Sequence, residues 1–301
     1  MEGIKEDCEL EQRPRTDWRA YACILTAAAL WGMMGLWNRG LMAGGLSPWS
    51  IVLVRNTGGL ALLAAIFGIR DRSVFQIKKE HLKYFFGTGV VSVLLFTVCY
   101  FFCQKVCSLA VASVLLYTAP SIVVILSAIL WREPITKKKL LALGLTLVGC
   151  ACVCGVFAGS LSVTPAGILL GLGAGFCYAM YSILGRYALR AGYSAQTTTM
   201  WTYVFAGTGA LFFIRPAELA AAAGSPSMWL TGAGLVAVST VVPYLLYTTG
   251  LSRVETGKAS IMASLEPVVA SLIGVLVFQE PMSGLTAMGI VCVLAGVVIL
   301  R

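Results

Sequence analysis

Apolar runs about as long as a bilayer crossing follow one another along almost the whole chain. A hydrocarbon core of about 30 Å takes roughly 20 helical residues. Runs that meet or approach this length lie at 20–41, 49–69, 83–104, 109–131, 139–157, 166–187, 196–214, 228–250, 257–278 and 284–300. The polar connections between them are short and leave no room for a soluble domain. The pattern predicts an all-α membrane protein of ten transmembrane helices. Residues 1–19 break it with six acids and four bases, too acidic and too mixed for a signal or transit peptide, and read as a disordered cytoplasmic tail.

The two halves match at a fixed offset of 147 residues without gaps. Arg39 pairs with Arg186, Gly45 with Gly192, Ser47 with Ser194 and Gly87 with Gly234. Tyr100 pairs with Tyr247, Ser113 with Ser260 and Gly149 with Gly296. Pro120-x(12)-Glu133-Pro134 recurs as Pro267-x(12)-Glu280-Pro281. A general likeness of apolar helices explains matched Leu and Ala, but not matched Pro, Glu and Tyr. Two units are expected, 20–157 and 158–301. Each carries five spans, an odd number, so the second enters the membrane from the opposite side. Inverted repeats give two structures of similar energy, open to opposite faces, which favours a carrier over a scaffold.

Composition sharpens this picture. Of 301 residues 58% are hydrophobic and only 12% charged, too apolar for one buried core. The net charge of +9 does not imply a nucleic-acid partner, because the basic residues sit in short loops rather than on one wet face. With the N-terminus inside, 18 Lys and Arg fall on the cytoplasmic side and three, Arg39, Lys105 and Arg215, outside. The positive-inside rule then puts both termini in the cytoplasm, and a multi-pass protein of the inner (cytoplasmic) membrane is expected. The ten cysteines are mostly inside apolar runs. Cys150, Cys152 and Cys154 alternate helix faces and have no acidic or His neighbour, so no metal site is read there. His81 reads as a solvated loop residue, and no cofactor is expected.

Each half has a fourth span ending in an aromatic-x-Glu-Pro motif, Trp131-Arg132-Glu133-Pro134 and Phe278-Gln279-Glu280-Pro281. With Leu265-Glu266-Pro267, Arg55 in the second span and Leu30-Trp31-Gly32 in the first, the chain resembles the EamA family of the drug/metabolite transporter superfamily over residues 20–301. The resemblance implies ten helices around a central cavity, with spans 5 and 10 peripheral. It also implies secondary transport of small metabolites, often efflux of amino acids or related compounds. The first half departs from the Leu-Glu-Pro pattern, since Ala119 stands where Glu266 has its mate.

Only Arg55 and Glu266 place an ionisable group well inside a span. A charge at that depth costs about 2.5–3.5 kcal/mol on insertion scales and therefore faces a cavity or a partner. Arg55 then holds a solute carboxylate and Glu266 an amine or a proton, which makes the proton one candidate coupling ion. The alternative is an ion pair pinning span 2 to span 9. Pro120 and Pro267 free the carbonyls of Leu116 and Ala263 and read as hinges or path-lining kinks, with packing kinks as the alternative. Trp31, Tyr100, Tyr117, Tyr178, Tyr244 and Tyr247 lie mid-span and are read as cavity walls, able to stack on an apolar or cationic solute. Glu133 and Glu280 end helices on opposite faces and read as fixing loops or gates. The expected function is export of a small solute by alternating access. A translocase for a lipid-linked head group is the competing reading. A membrane-embedded transferase lacks the clustered Asp or His it would need.

Overall fold

Apolar side chains cover the outside of the bundle and hydroxyl groups fill much of its inside. Ile69 is 91% exposed and Leu230 77%, whereas Ser50, Thr88, Thr198, Thr202, Ser239 and Thr240 are fully buried. The four threonines bond backbone carbonyls of their own helices, as Thr202 does to Thr198 O at 2.8 Å and Thr240 to Leu235 O at 2.8 Å, and the two serines reach other elements. That arrangement suits a chain whose surroundings are lipid, where unpaired polar groups are costly.

The computed structural model describes residues 17–157 and 162–300, which form helices and no strand. Seven helices are long and apolar enough to cross a membrane: α1 (Trp18–Ala43), α2 (Pro48–Arg70), α3 (Lys79–Val106), α4 (Leu109–Trp131), α6 (Pro165–Arg190), α8 (Pro226–Leu251) and α9 (Thr256–Phe278). Between them lie the 17-residue α5 (Lys137–Val153) and α7 (Ala195–Phe213), and the 16-residue α10 (Gly284–Ile299) follows. After α7 the chain turns by 102° into a short helix, Pro216–Ala223. The multi-pass membrane protein is therefore plain, with these three helices shorter or more bent than the apolar runs suggested. Asp17 caps α1 and Trp18–Arg19 are already helical, while residues 1–16 of the expected tail lie outside the described residues.

Local sequence explains the element ends. Ser47, Thr136, Ser194 and Ser283 accept backbone N–H bonds at the starts of α2, α5, α7 and α10, and they form two repeat-related pairs. Arg132 and Gln279, also repeat mates, adopt left-handed φ of 55° and stop α4 and α9 just before their Glu-Pro. Inside the helices, α4 breaks at Tyr117–Thr118 and α9 at Ser264–Leu265, three residues ahead of Pro120 and Pro267. Both helices are thus interrupted ahead of their prolines at matched places. Two features were not foreseen. α3 and α8 carry π-helical stretches, Gly87–Leu95 and Ala237–Val241, and α1 breaks at Met33 while its mate α6 is continuous.

The main helix pairings join one repeat to the other: α3 with α6, α1 with α8, α5 with α10, α4 with α6, α9 with α1, and α2 with α7. Exchanging the repeats maps this set onto itself, as a twofold relation requires. Glycines show the same reciprocity. A Cβ on Gly149 would lie 2.7 Å from Gly289 O, and one on Gly296 would lie 2.9 Å from Ala142 O. Those two contacts are images of each other under the 147-residue offset.

Candidate solute site and its two ends

Four of the predicted wall residues meet at the centre. Trp31 of α1, Tyr178 of α6, and Tyr244 and Tyr247 of α8 surround a cavity of about 20 Å³, with Ser92, Tyr181 and Ser182. That volume suits about one water. The rings close on one another: Trp31 lies 5.2 Å from Tyr244 and 5.3 Å from Tyr247, and Tyr181 lies 5.0 Å from Tyr244. Hydroxyls fix them in place. Tyr181 pairs with Thr248, and Tyr247 with Ser182, each at 2.7 Å.

Glu266 begins the second half of α9 and accepts a hydrogen bond from the Tyr178 hydroxyl at 3.3 Å. Tyr117 stands at the break of α4 and packs with Leu265 and Val268 around the same turn. Tyr100 bonds Ser113 at 3.1 Å and reaches Tyr178 through Phe96. Gly32 makes room for the break, since a Cβ there would lie 2.6 Å from Glu266 O. The predicted aromatics and Glu266 thus belong to one connected cluster.

Arg55 is not among the residues that line the small cavity. Its Nη1 lies 3.4 Å from Met34 Sδ, and its Nε is buried without a hydrogen-bond partner. Arg55 and Glu266 form no ion pair among the described residues. In this conformation Met34 lies against the guanidinium instead. Tyr203, fully buried and 5.4 Å from Tyr244, extends the cluster and has an unpartnered hydroxyl. Neither Tyr203 nor Tyr181 was singled out from sequence. The offset gives them Asn56 and Met34 as mates, so a search for matched aromatics passes over both. The α1 break has its own support: Ser239, in the π-helical stretch of α8, donates to Leu30 O at 2.8 Å and accepts from Trp37 Nε1 at 3.1 Å. No group of three His, Cys, Asp or Glu able to hold a metal occurs among the described residues.

The two ends of the bundle differ although their residues match. At the end bearing Lys137–Lys139, here the basic end, Glu133 accepts from the N–H groups of Thr256 and Gly257 at 2.9 and 3.1 Å. Burial alone would raise this carboxyl, but the two N–H bonds outweigh it and hold Glu133 below the ordinary carboxylate range. Arg186 donates to Leu251 O and Val254 O, and the fully buried Lys139 pairs with Glu255 at 2.9 Å. At the far end the offset predicts that Glu280 meets Leu109 and Ala110 N–H, and Arg39 the carbonyls of Gln104 and Cys107. None of these bonds is made among the described residues. Arg39 and Glu280 instead pair with each other at 2.6 Å, both about half exposed. The far end also has an apolar cavity of about 530 Å³ lined by Leu41, Val54, Leu219, Met228 and Trp229, with no charged side chain in its wall.

Known proteins place this arrangement. One archaeal relative, an uncharacterized transporter of Archaeoglobus fulgidus, is 33% identical over 190 residues, 63% of this chain and 66% of its own. The uncharacterized inner membrane transporter YicL of Salmonella typhimurium is 26% identical over 92% of this chain and 93% of its own. The threonine/homoserine exporter RhtA of the same organism is 25% identical over 134 residues, 43% of either chain. A solved crystal structure shares the fold with a TM-score of 0.77 at 20% identity, covering 93% of this chain and 95% of that one. Residues 18–155 and 165–301 each match the model of the EamA-like transporter family. Two repeats of that family, packed reciprocally around a shared aromatic cluster, make this chain a transporter and a member of the EamA-like transporter family.

Proposed function

We propose that the protein is a secondary transporter that exports amino acids or related small metabolites by alternating access, with ten spans and both termini in the cytoplasm of a cell with this protein in its inner membrane. One observation carries the reading: repeat-equivalent residues make closing contacts at the basic end and leave them unmade at the far end. Two inverted halves that trade conformations would trade these contacts. Glu280 would then cap α4, Arg39 would bond the Gln104 and Cys107 carbonyls, and Glu133 would pair with Arg186. The present conformation is closed toward the cytoplasm, because 18 of the Lys and Arg lie on that side.

The solute class follows from the cluster and from a relative. Arg55, with a buried unpartnered Nε, suits a carboxylate, and Glu266 with its tyrosines suits an amine. RhtA, by its name, exports threonine and homoserine. Opening of the 20 Å³ cavity accompanies the exchange, since no amino acid fits it as it stands. A proton on Glu266 is the proposed coupling ion. Purified protein in liposomes tests this with a panel of amino acids and amines under an imposed pH gradient. Wild type should concentrate at least one solute, and Glu266→Gln should retain counterflow while losing gradient-driven accumulation. Accumulation by the Gln variant would move the proton elsewhere, and no counterflow of any amino acid by wild type would remove the solute class. The lipid-linked translocase is the less favoured reading, because the large far-end cavity has no cation to hold a phosphate.

A further inference from the structure

The repeats put a serine cap at each end of the bundle, Ser47 on α2 and Ser194 on α7. At the far end this cap holds an anion that the chain itself supplies. Glu218 Oε2 accepts from Ser47 N–H at 2.9 Å, from Ser47 Oγ at 2.6 Å and from Ser50 Oγ at 2.6 Å. Shifted by 147 residues, the same three donors are the Ser194 N–H and the hydroxyls of Ser194 and Thr197. No carboxylate reaches them among the described residues. The repeat mate of Glu218 is Asp71, one methylene shorter, and it turns instead to its own Ser73 at 3.0 Å (N–H) and 2.6 Å (Oγ).

A cavity of about 260 Å³ opens where the missing carboxylate would lie, lined by Arg186, Arg190, Tyr193, Ser194, Ala195 and Ser252. Its wall holds two cations and no acid. Arg186 and Arg190 stand one turn apart on α6, where like charges repel, and neither has an ion-pair partner among the described residues. The nearby acids are committed elsewhere, Glu133 to the start of α9 and Glu255 to Lys139 and Lys258. Arg186 spends Nη1 on two carbonyls and leaves its buried Nε unpartnered. Arg190 lies 5.2 Å over the Trp131 ring, which orients the guanidinium without neutralising it. The 19-residue α7 adds the positive end of its dipole and the N–H groups of its first turn.

We propose that this cavity is an oxyanion site that takes a phosphate group between Arg186, Arg190 and the start of α7, in the place that Glu218 fills at the far end. The proposal does not depend on the transport reading. Two sources offer the same chemistry: a phospholipid head group of the adjoining leaflet and a free phosphate in solution.

The test uses the full-length chain in detergent, with thermal unfolding followed in potassium phosphate and in potassium chloride at equal ionic strength. A hundredfold excess over the dissociation constant should raise the midpoint by about 5 °C, and the rise should grow with the logarithm of phosphate concentration. In parallel, the protein in nanodiscs of phosphatidylglycerol is compared with the protein in phosphatidylcholine, and retained lipid is counted by native mass spectrometry. A phosphate shift without phosphatidylglycerol retention identifies a soluble anion, and retention identifies the lipid. Arg190→Gln should abolish whichever signal wild type shows, and Asp71→Asn should leave it. Should Arg190→Gln fail to fold, Ser252→Asp puts a carboxylate into the cavity wall and should make the midpoint indifferent to phosphate. Equal midpoints in phosphate and chloride with no preference for phosphatidylglycerol overturn the proposal. So does a full signal in both Arg190→Gln and Ser252→Asp.

Discussion

Glu266 has no counterpart in the first repeat, where Ala119 opens the equivalent half-helix. Whatever the carboxyl does, it does once per molecule, and its only hydrogen bond among the described residues comes from Tyr178. A bond to an ionised group is worth about 1.5–3 kcal/mol, and this one is long at 3.3 Å. Tyr178→Phe should therefore lower the rate of gradient-driven uptake by about tenfold, from the low end of that range, with protein yield unchanged. An unaltered rate would make the tyrosine mere packing. At this scale the sequence was informative about depth and silent about rotation. Mid-span position marked Trp31, Tyr178, Tyr244 and Tyr247 as wall residues, and the four line one cavity. Arg55 and Glu266 had comparable depths as well. Depth along a helix says nothing of the direction in which a side chain leaves it, and Arg55 leaves toward Met34.

Among the elements, the short helix Pro216–Ala223 is held to α2 through Glu218. The Ser47 and Ser50 hydroxyls and the Ser47 N–H pull this carboxyl from 4.5 down to about 2. A depressed folded value means that its contribution is complete above the unfolded value and fades as pH falls toward the folded one. Pepsin cleavage around Pro216–Ala223 should accordingly rise as pH falls from about 4.5 to about 2 in wild type. Glu218→Gln should be cleaved readily across the whole range. A flat wild-type profile would show that the serines do not depend on the charge. The breaks in α4 and α9 were readable because Pro120 and Pro267 announce them chemically. The π-helical stretches in α3 and α8 have no such marker. They arise where tertiary packing rewards an extra residue per turn, as Ser239 shows by reaching both Leu30 O and Trp37.

For the whole molecule, the exchange of end contacts predicts opposite responses at opposite ends. Glu133→Gln weakens the cap on Thr256 and Gly257, so amide hydrogen exchange should rise across Thr256–Ala263. In the same sample it should fall across Leu109–Leu116, which Glu280 then covers. A rise at one end with no fall at the other would show two independent loops rather than one coupled switch. Family and repeat layout were legible because they rest on residues with strong local chemistry, such as the Glu-Pro pairs and Gly149 with Gly296. Pairing was not legible. The offset shows that the halves are alike and does not tell whether each packs on itself or on the other.

They pack on each other, and this sets a timetable for synthesis. Gly149 of α5 comes to rest against Gly289 of α10, a residue added 140 positions later. At about 5–20 residues per second the ribosome needs roughly 7–28 s to cover that distance. Throughout that interval the first five helices have their partner faces bare, α5 with Gly149 still unpacked. The nascent half-protein is then a client for the insertion machinery and a target for membrane proteases. The second half of the message supplies the chaperone that ends its exposure.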